Sequence, residues 1–447
     1  MKLKKLTILS TLIGSCLSFG ALASESAVVI TNVDIFDGVN EQLTEGANVL
    51  IVDNLIQTIT HEDIKHEGAD IIDGNGRTMI PGLTDAHTHI MWTDDIETLI
   101  YGAPEGWSGT LAGVNAGEML LRGFTTIRDN GGPAFGLKKA IDENIVPGPR
   151  ILPAGAFISQ TSGHGDYDKR MFYMSPHFTG QIDKAYIRGW TIIADGVPEV
   201  QKASRDVLRS GATHLKIFGS GSITGAHDPL DVTEYTYEEL KAIVTEAEKW
   251  GTYAAIHAYS DDGIQNAIKA GVKSIEHGLF ASEETMKLMK KNDVWFSTQF
   301  LAFSLPPEKA GMTGDSVPKY LQAQQGARAG YERAKEYGVK MTFGTDILGS
   351  LTLHRMQNRE FIARSKYFTP FEILKQATSQ NAELFELSGE RHPYKEGKLG
   401  VIQEGAYADL LLVNGNPLDD ISILALPDTN LDLIMKDGVV YKNQLHK

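Results

Sequence analysis

Met79-Ile80-Pro81-Gly82-Leu83-Thr84-Asp85-Ala86-His87-Thr88-His89 is an apolar run that enters a Pro-Gly break and then presents two histidines one residue apart. On a strand, side chains at i and i+2 project to the same side. His87 and His89 can therefore chelate one metal ion from a rigid support. A metal with an open coordination position activates water, which puts hydrolysis first among the chemistries to consider. Taken alone, a His-x-His pair is more often a feature of a surface edge. The rest of the chain speaks against that here.

Outward from this stretch the sequence alternates. Strand-like runs are predicted at 78–89, 124–129, 151–158, 214–220, 253–257, 274–277, 295–300 and 341–346. Helix signatures lie between most of them. Thr236-Tyr237-Glu238-Glu239 is a capping box followed by Leu240, Ile243, Val244 and Ala247 on one face and closed by Gly251. Ser260 opens another helix that Gly271 ends, and Thr369-Pro370-Phe371-Glu372 starts a later one with proline at the first helical position. Eight strands alternating with helices over roughly 300 residues is the requirement of a (β/α)8 TIM barrel. The competing doubly wound open sheet lacks its Gly-rich phosphate fingerprint here.

Both flanks read as β. Residues 27–77 carry short β-branched runs such as Val28-Val29-Ile30 and Asn48-Val49-Leu50-Ile51-Val52. From Gly397 onward, Leu410-Leu411-Leu412-Val413 and Leu433-Ile434-Met435 repeat the pattern, with Lys436-Asp437-Gly438 as a hairpin turn. The expected organisation is α/β: a β-sandwich built from residues 24–80 and 394–447 around a barrel over 81–393.

The chain has 447 residues, 42% of them apolar, enough for a large core. Residues 1–23 have the form of a secretory signal peptide: Lys2, Lys4 and Lys5, then an apolar stretch over 6–20, then Ala21-Leu22-Ala23 as cleavage site. The apolar part is too short for a membrane span, so a periplasmic or secreted location is expected. The alternative is a lipoprotein anchored at Cys16, since Ile13-Gly14-Ser15-Cys16 resembles a lipid-attachment box; the residues after it stay apolar instead of forming a polar tether. Cys16 is the only cysteine, so cleavage leaves no disulfide, thiolate ligand or catalytic thiol. A formal charge of −15 argues against a nucleic-acid partner.

The polar residues at strand ends then line up. Beyond His87 and His89, Lys216 interrupts the apolar fourth strand, His257 ends the fifth, His277 the sixth and Asp346 the eighth. The C-terminal ends of barrel strands open on one face, where active sites are built. Lys216 is the oddest member: an ammonium among apolar neighbours needs a partner, a depressed pKa or chemical modification. An ammonium cannot ligate a metal, whereas a lysine carbamate formed with CO2 can.

This set resembles the binuclear metal site of the amidohydrolase superfamily. Pro81-Gly82-Leu83-Thr84-Asp85 and the segment from Gly400 to Leu410 are similar to that superfamily as well. Within it, Gly148-Pro149-Arg150, Ser162-Gly163-His164-Gly165-Asp166 and Ile275-Glu276-His277-Gly278 resemble the imidazolonepropionase-related group, and more narrowly its Xaa-Pro dipeptidase and carboxypeptidase-like branch. The resemblance implies two divalent ions, zinc first among them, with His87, His89 and Asp346 on one and His257 and His277 on the other. Lys216, as N6-carboxylysine, would bridge them. It implies a shared hydroxide as nucleophile, Asp346 as general base then acid, and cleavage of a dipeptide or N-acyl amino acid next to a free α-carboxylate. Imidazolonepropionases proper are expected to hold one metal without the lysine, so Lys216 argues against that activity.

Substrate contacts are read more thinly. His164, in a Gly-rich loop, could donate to the substrate carbonyl or carboxylate and assist catalysis, and Tyr259 could bind the α-carboxylate. Arg355 is a candidate carboxylate clamp, His227 falls in a loop at the same end, and His214 reads as a buried barrel residue. Asp85 either orients a ligating histidine or is a turn residue. Residues 167–186, rich in aromatics, suit a lid or an oligomer contact, and a homo-oligomer is compatible with the family. Hydrolysis of a lactone, lactam or other N-acyl group is the alternative. A heterocycle deaminase fits less well, because His257 is followed by Ala258-Tyr259-Ser260-Asp261 without a glutamate. A metal-binding scaffold without catalysis would be expected to have lost Asp346.

Overall fold

The structure is a computed structural model that describes residues 26–167, 180–225 and 228–445. The expected signal segment, Cys16 and His227 lie outside the described residues, as do residues 168–179. None of the described helices is long and apolar enough to cross a membrane.

Two parallel sheets form the middle of the chain. One orders β5 (Leu83–Thr88), β6 (Phe124–Asp129) and β7 (Arg150–Pro153). The other runs β13 (Trp295–Ser297), β12 (Ser274–His277), β11 (Ala254–Ala258), β10 (Leu215–Phe218), β8 (Phe157–Ser159) and β9 (Thr191–Ile193). The two sheets are joined at two places. The segment 341–346 bridges Phe296 through Met341 on one side. On the other, Ala86 N–H donates to Phe343 O at 2.8 Å, and Asp346 N–H to His87 O at 2.8 Å. At the second junction, β7 leads straight into β8. The expected third strand is thus two strands, because Gly155 turns left-handed (φ +74°) between them and β8 pairs with β10 and β9 instead of β6. The eighth segment holds its place by these bonds rather than as a regular strand.

Helices cover the ring as the caps require. Thr236 and Glu239 exchange both capping-box hydrogen bonds ahead of Tyr237–Lys249, whose Leu240, Ile243, Val244 and Ala247 are buried. Leu240, Ile243 and Val244 each contribute about 1.5–3 kcal/mol on leaving water. Gly271 closes Asp261–Ala270 with φ +106°, and Thr369 caps Pro370–Lys375.

Both chain ends meet in one seven-stranded sheet, ordered β16 (Val439–Asn443), β15 (Leu431–Lys436), β14 (Leu410–Val413), β4 (Asp70–Pro81), β1 (Ala27–Ile35), β2 (Thr44–Val52) and β3 (Leu55–Thr60). The sheet is continuous and bends back on itself. Edge strand β3 bonds to the segment before β14, Ile56 N–H to Ala406 O at 2.9 Å and Gly405 N–H to Ile56 O at 2.8 Å. The bend encloses Ile30, Val49, Met79, Leu412 and Leu433 in a core of their own. The Asp437-Gly438 turn is left-handed at both residues, as a two-residue hairpin demands. Since β4 continues through Pro81-Gly82 into β5, the terminal sheet fixes where the histidine pair stands.

Candidate active site

His87 and His89 sit at the end of β5, wholly buried strand that faces segment 341–346. The approach is close because position 344 is glycine: a Cβ there would stand 2.8 Å from His87 Cβ. Two residues on, Asp346 adopts a left-handed backbone (φ 50°), as does His277 (φ 70°) at the end of β12. Such conformations in non-glycine residues persist where the surroundings enforce them, and they cluster at functional sites.

The side chains converge. Asp346 Oδ1 lies 3.2 Å from His89 Nε2 and 3.4 Å from His87 Nε2, and Oδ2 is 3.8 Å from His277 Nδ1. Rings of His87 and His277 are 5.1 Å apart, those of His257 and His277 4.6 Å, and those of His164 and His257 4.7 Å. All five histidines, with Lys216, Tyr259 and Asp346, line one cavity of about 210 Å³. Asp346 keeps 19% of its side chain open to it.

Burial sets the charges. It brings the His87 imidazole down to about 4 and His277 to about 3, and drives His257 well below the ordinary histidine value. These rings are neutral near pH 7, with lone pairs free to donate. Burial alone would raise the Asp346 carboxyl, but His87, His89 and His277 beside it hold it well below the usual range. Lys216 is brought down to about 8, chiefly by burial, so an uncharged amine is accessible for modification.

His87 Nε2 is buried without a hydrogen-bond partner. An orphaned imidazole nitrogen facing a carboxylate is a costly arrangement that a cation would satisfy. His87, His89 and Asp346 each offer one ligand atom, all within 4.8 Å of one another, a set that could hold a metal ion. His257, His277 and Lys216 share the cavity with that set.

Residues that the sequence left aside orient these groups. Glu276, fully buried, stands 2.7 Å from His87 Nδ1 and accepts from Arg128 Nη2 at 2.7 Å and Asn130 Nδ2 at 3.2 Å. Burial opposes its ionisation, yet Arg128 and His87 hold it well below the usual glutamate value. It accepts a hydrogen bond from His87 Nδ1–H and so leaves the Nε2 lone pair facing Asp346. Gln299 holds His277 Nδ1 at 2.7 Å, and Gly131 O holds His89 Nδ1 at 3.1 Å.

Asp85 does not touch a ligating ring. It accepts from the His87 backbone N–H (3.0 Å), from Thr345 Oγ1 (2.6 Å) and N–H (3.1 Å), and from Gln357 (2.9 Å), tying β5 to the Asp346 segment. Arg355 is no carboxylate clamp: it is exposed and pairs bidentately with Glu118 at 2.9 and 2.6 Å. His214 is buried, stacked on Tyr253 and bonded to Asn130 Oδ1 at 2.9 Å. His164 presents its backbone N–H to Glu234 (2.9 Å) and its Nδ1 to Asp228 (3.3 Å). Tyr259 packs against His257 and His277, and burial keeps its phenol protonated well above the ordinary value. Of the aromatic-rich segment, Tyr167 and residues 180–186 are described; the Tyr167 ring meets Trp92.

A parallel α/β ring with this cluster at its strand ends defines a hydrolytic enzyme. The chain belongs to the amidohydrolase family, whose model matches residues 78–441. It is 31% identical over 380 residues to an ochratoxinase of Aspergillus niger, covering 81% of this chain and 75% of that one. Among solved structures it is similar to a prolidase complexed with N-methylphosphonate-L-proline (TM-score 0.86, 32% identity, 94% of this chain and 100% of that one). It is also similar to a Xaa-Pro dipeptidase with bound methionine in the active site (TM-score 0.80, 30% identity, 94% and 100%). Likeness at this level implies a TIM barrel with an additional domain.

Proposed function

We propose that the protein hydrolyses the amide bond of dipeptides or N-acyl amino acids next to a free α-carboxylate. The observation that carries this reading is Asp346 within 3.2–3.8 Å of three imidazoles in one cavity. The similarity to a prolidase, a Xaa-Pro dipeptidase and an ochratoxinase supports it. In this reading the ring of strands is a (β/α)8 barrel over 81–393, the terminal sheet is a separate domain from 24–80 and 394–447, and residues 1–23 direct export.

His87, His89 and Asp346 would hold one divalent ion and His257 and His277 a second, zinc in both cases, with carboxylated Lys216 between them. Bound there, such ions polarise the scissile carbonyl and acidify water. The chain supplies the remainder. Asp346 accepts the proton of the attacking water and returns it to the leaving amine. Tyr259, a neutral phenol, donates to the substrate carboxylate, and His164 donates to the carbonyl oxygen. Glu276 keeps His87 in one tautomer throughout.

The test uses the purified protein loaded with zinc in bicarbonate buffer. It is offered Xaa-Pro, Xaa-Arg and Xaa-Leu dipeptides and N-acyl amino acids, with free amino acids and ammonia quantified separately. Release of the C-terminal amino acid is expected. Ammonia without amino acid release would overturn the reading in favour of deamination. For the carbamate, Lys216→Ala is expected to abolish occupancy by two metals; two ions retained at full rate would refute it.

A further inference from the structure

We propose, resting on that amide-hydrolase reading, that the cavity selects short substrates with an apolar side chain, and that Phe303, Leu305, Met312, Ile347, Leu353 and Met356 form the wall that selects them. The cavity is divided by chemistry. Its floor carries the histidines, Lys216, Tyr259 and Asp346. The same lining includes these six side chains, from the loop after β13 and from the segment after Asp346. Each is apolar and only half-buried. Half-wet apolar groups scattered singly over a surface are ordinary; six converging on one cavity above a reactive cluster mark a binding face.

The wall is held in place. Helix Ser316–Glu336 reaches across with Tyr320, whose hydroxyl lies 2.6 Å from Ala302 O and 2.9 Å from Leu305 O and shares its one hydrogen between them. Gln324, one helical turn further, donates to Phe303 O at 3.1 Å and Leu305 O at 2.8 Å. From the same helix, Lys319 ties down the facing loop through Ser222 O (3.1 Å), Gly225 O (3.3 Å) and Asp228 O (3.3 Å). A preorganised wall spends no binding energy on ordering itself.

Charge completes the argument. Apart from Lys216 and Asp346 on the floor, the only lysine or acidic side chain lining the cavity among the described residues is Lys309, exposed at its rim. A basic or acidic group pressed on the wall would lose water and find no partner there. The volume favours short substrates: about 210 Å³ lies below the roughly 300–1,000 Å³ of drug-sized pockets.

The zinc-loaded protein is assayed on two dipeptide series, Ala-X and X-Ala, with X as Leu, Met, Phe, Asp, Lys or Gly, and on Ala-Ala-Leu. In at least one series kcat/KM is expected to favour Leu, Met and Phe over Asp and Lys by about 10–100-fold, with the tripeptide poor. Equal rates for charged and apolar side chains in both series would overturn the proposal. Met312→Lys is expected to move the ratio of Asp to Leu substrates upward by about tenfold with metal content unchanged; an unmoved ratio would also overturn it. Binding of N-acetylleucine against N-acetylaspartate and N-acetyllysine, read by thermal shift, separates the two readings. Preferential N-acetylleucine binding without hydrolysis of any amide defeats the activity alone, and hydrolysis without preference defeats the wall alone.

Discussion

Arg150 and Arg128 are both buried, and both face carboxylates. Arg150 joins the ring to the terminal sheet: it pairs with Asp409 and Asp437, with the Tyr407 ring 4.1 Å from its guanidinium and Tyr394 at 5.5 Å. Arg128 lies under the imidazoles, bonded to Glu276, Ala86 O, Tyr253 and Ser274. The junction satisfies itself. Below the site, the chain of contacts runs on from Arg128 through Glu276 to His87 and stops at a nitrogen with no partner. Burial and charge are therefore common to structural and functional clusters. The unmet valence tells them apart.

That distinction can be broken. Asp346→Asn should lower kcat by about 10²–10⁴-fold, the usual scale of acid–base catalysis, when measured with metal saturating and unfolding midpoint checked; a near wild-type rate would remove Asp346 from the proton path. At the junction, Asp409→Asn should destabilise by about 3–5 kcal/mol, because it leaves Arg150 under-compensated. Denaturant unfolding would register this while metal stoichiometry stays the same. Altered metal binding would mean that the two clusters are coupled.

Glu276→Gln sharpens the contrast from the other side. It should weaken zinc binding by about 10–100-fold, read by competition with a chromophoric chelator, and unchanged affinity would reduce Glu276 to a packing role. A pH-dependent effect concerns Glu234, whose carboxyl burial raises to about 8. The unfolded chain releases this proton above about 4.5 while the fold retains it, so stability falls as pH rises from 4.5 to 8, by about 1.4 kcal/mol per pH unit. Glu234→Gln should remove that slope and leave stability unchanged below pH 4.5. Unfolding curves at pH 4, 6 and 7.5 would test it.

The comparison also explains what could be read from the chain. Strand ends with histidines at matching positions are a local signal, and so His87, His89, Lys216, His257, His277 and Asp346 were legible before any coordinates. The same physics that singled out Lys216, a charge inside an apolar strand, applies to Glu276 between Ile275 and His277 and to Arg128 in Phe124–Asp129. The sequence does not say which partner neutralises which charge, because Arg128 and Glu276 are far apart along the chain. Exposed Arg355 is a case of the same kind: its partner Glu118 lies far back along the chain, on helix Trp107–Leu121. The split of the third strand hangs on the backbone angle of Gly155, and the apolar wall on loops whose course no periodicity encodes.

One consequence concerns time. Strand β4 ends at Pro81, and its neighbour β14, pairing Thr78 with Val413 and Met79 with Leu412, is synthesised more than three hundred residues later. At roughly 5–20 residues per second, a nascent chain carries the open edge of β4 for on the order of 20–70 s. Met79 and Ile80 wait there without a covering strand. Strand β14, made long after β4, is thus the latch for its edge, and a chain cut short anywhere before residue 410 would leave that edge exposed.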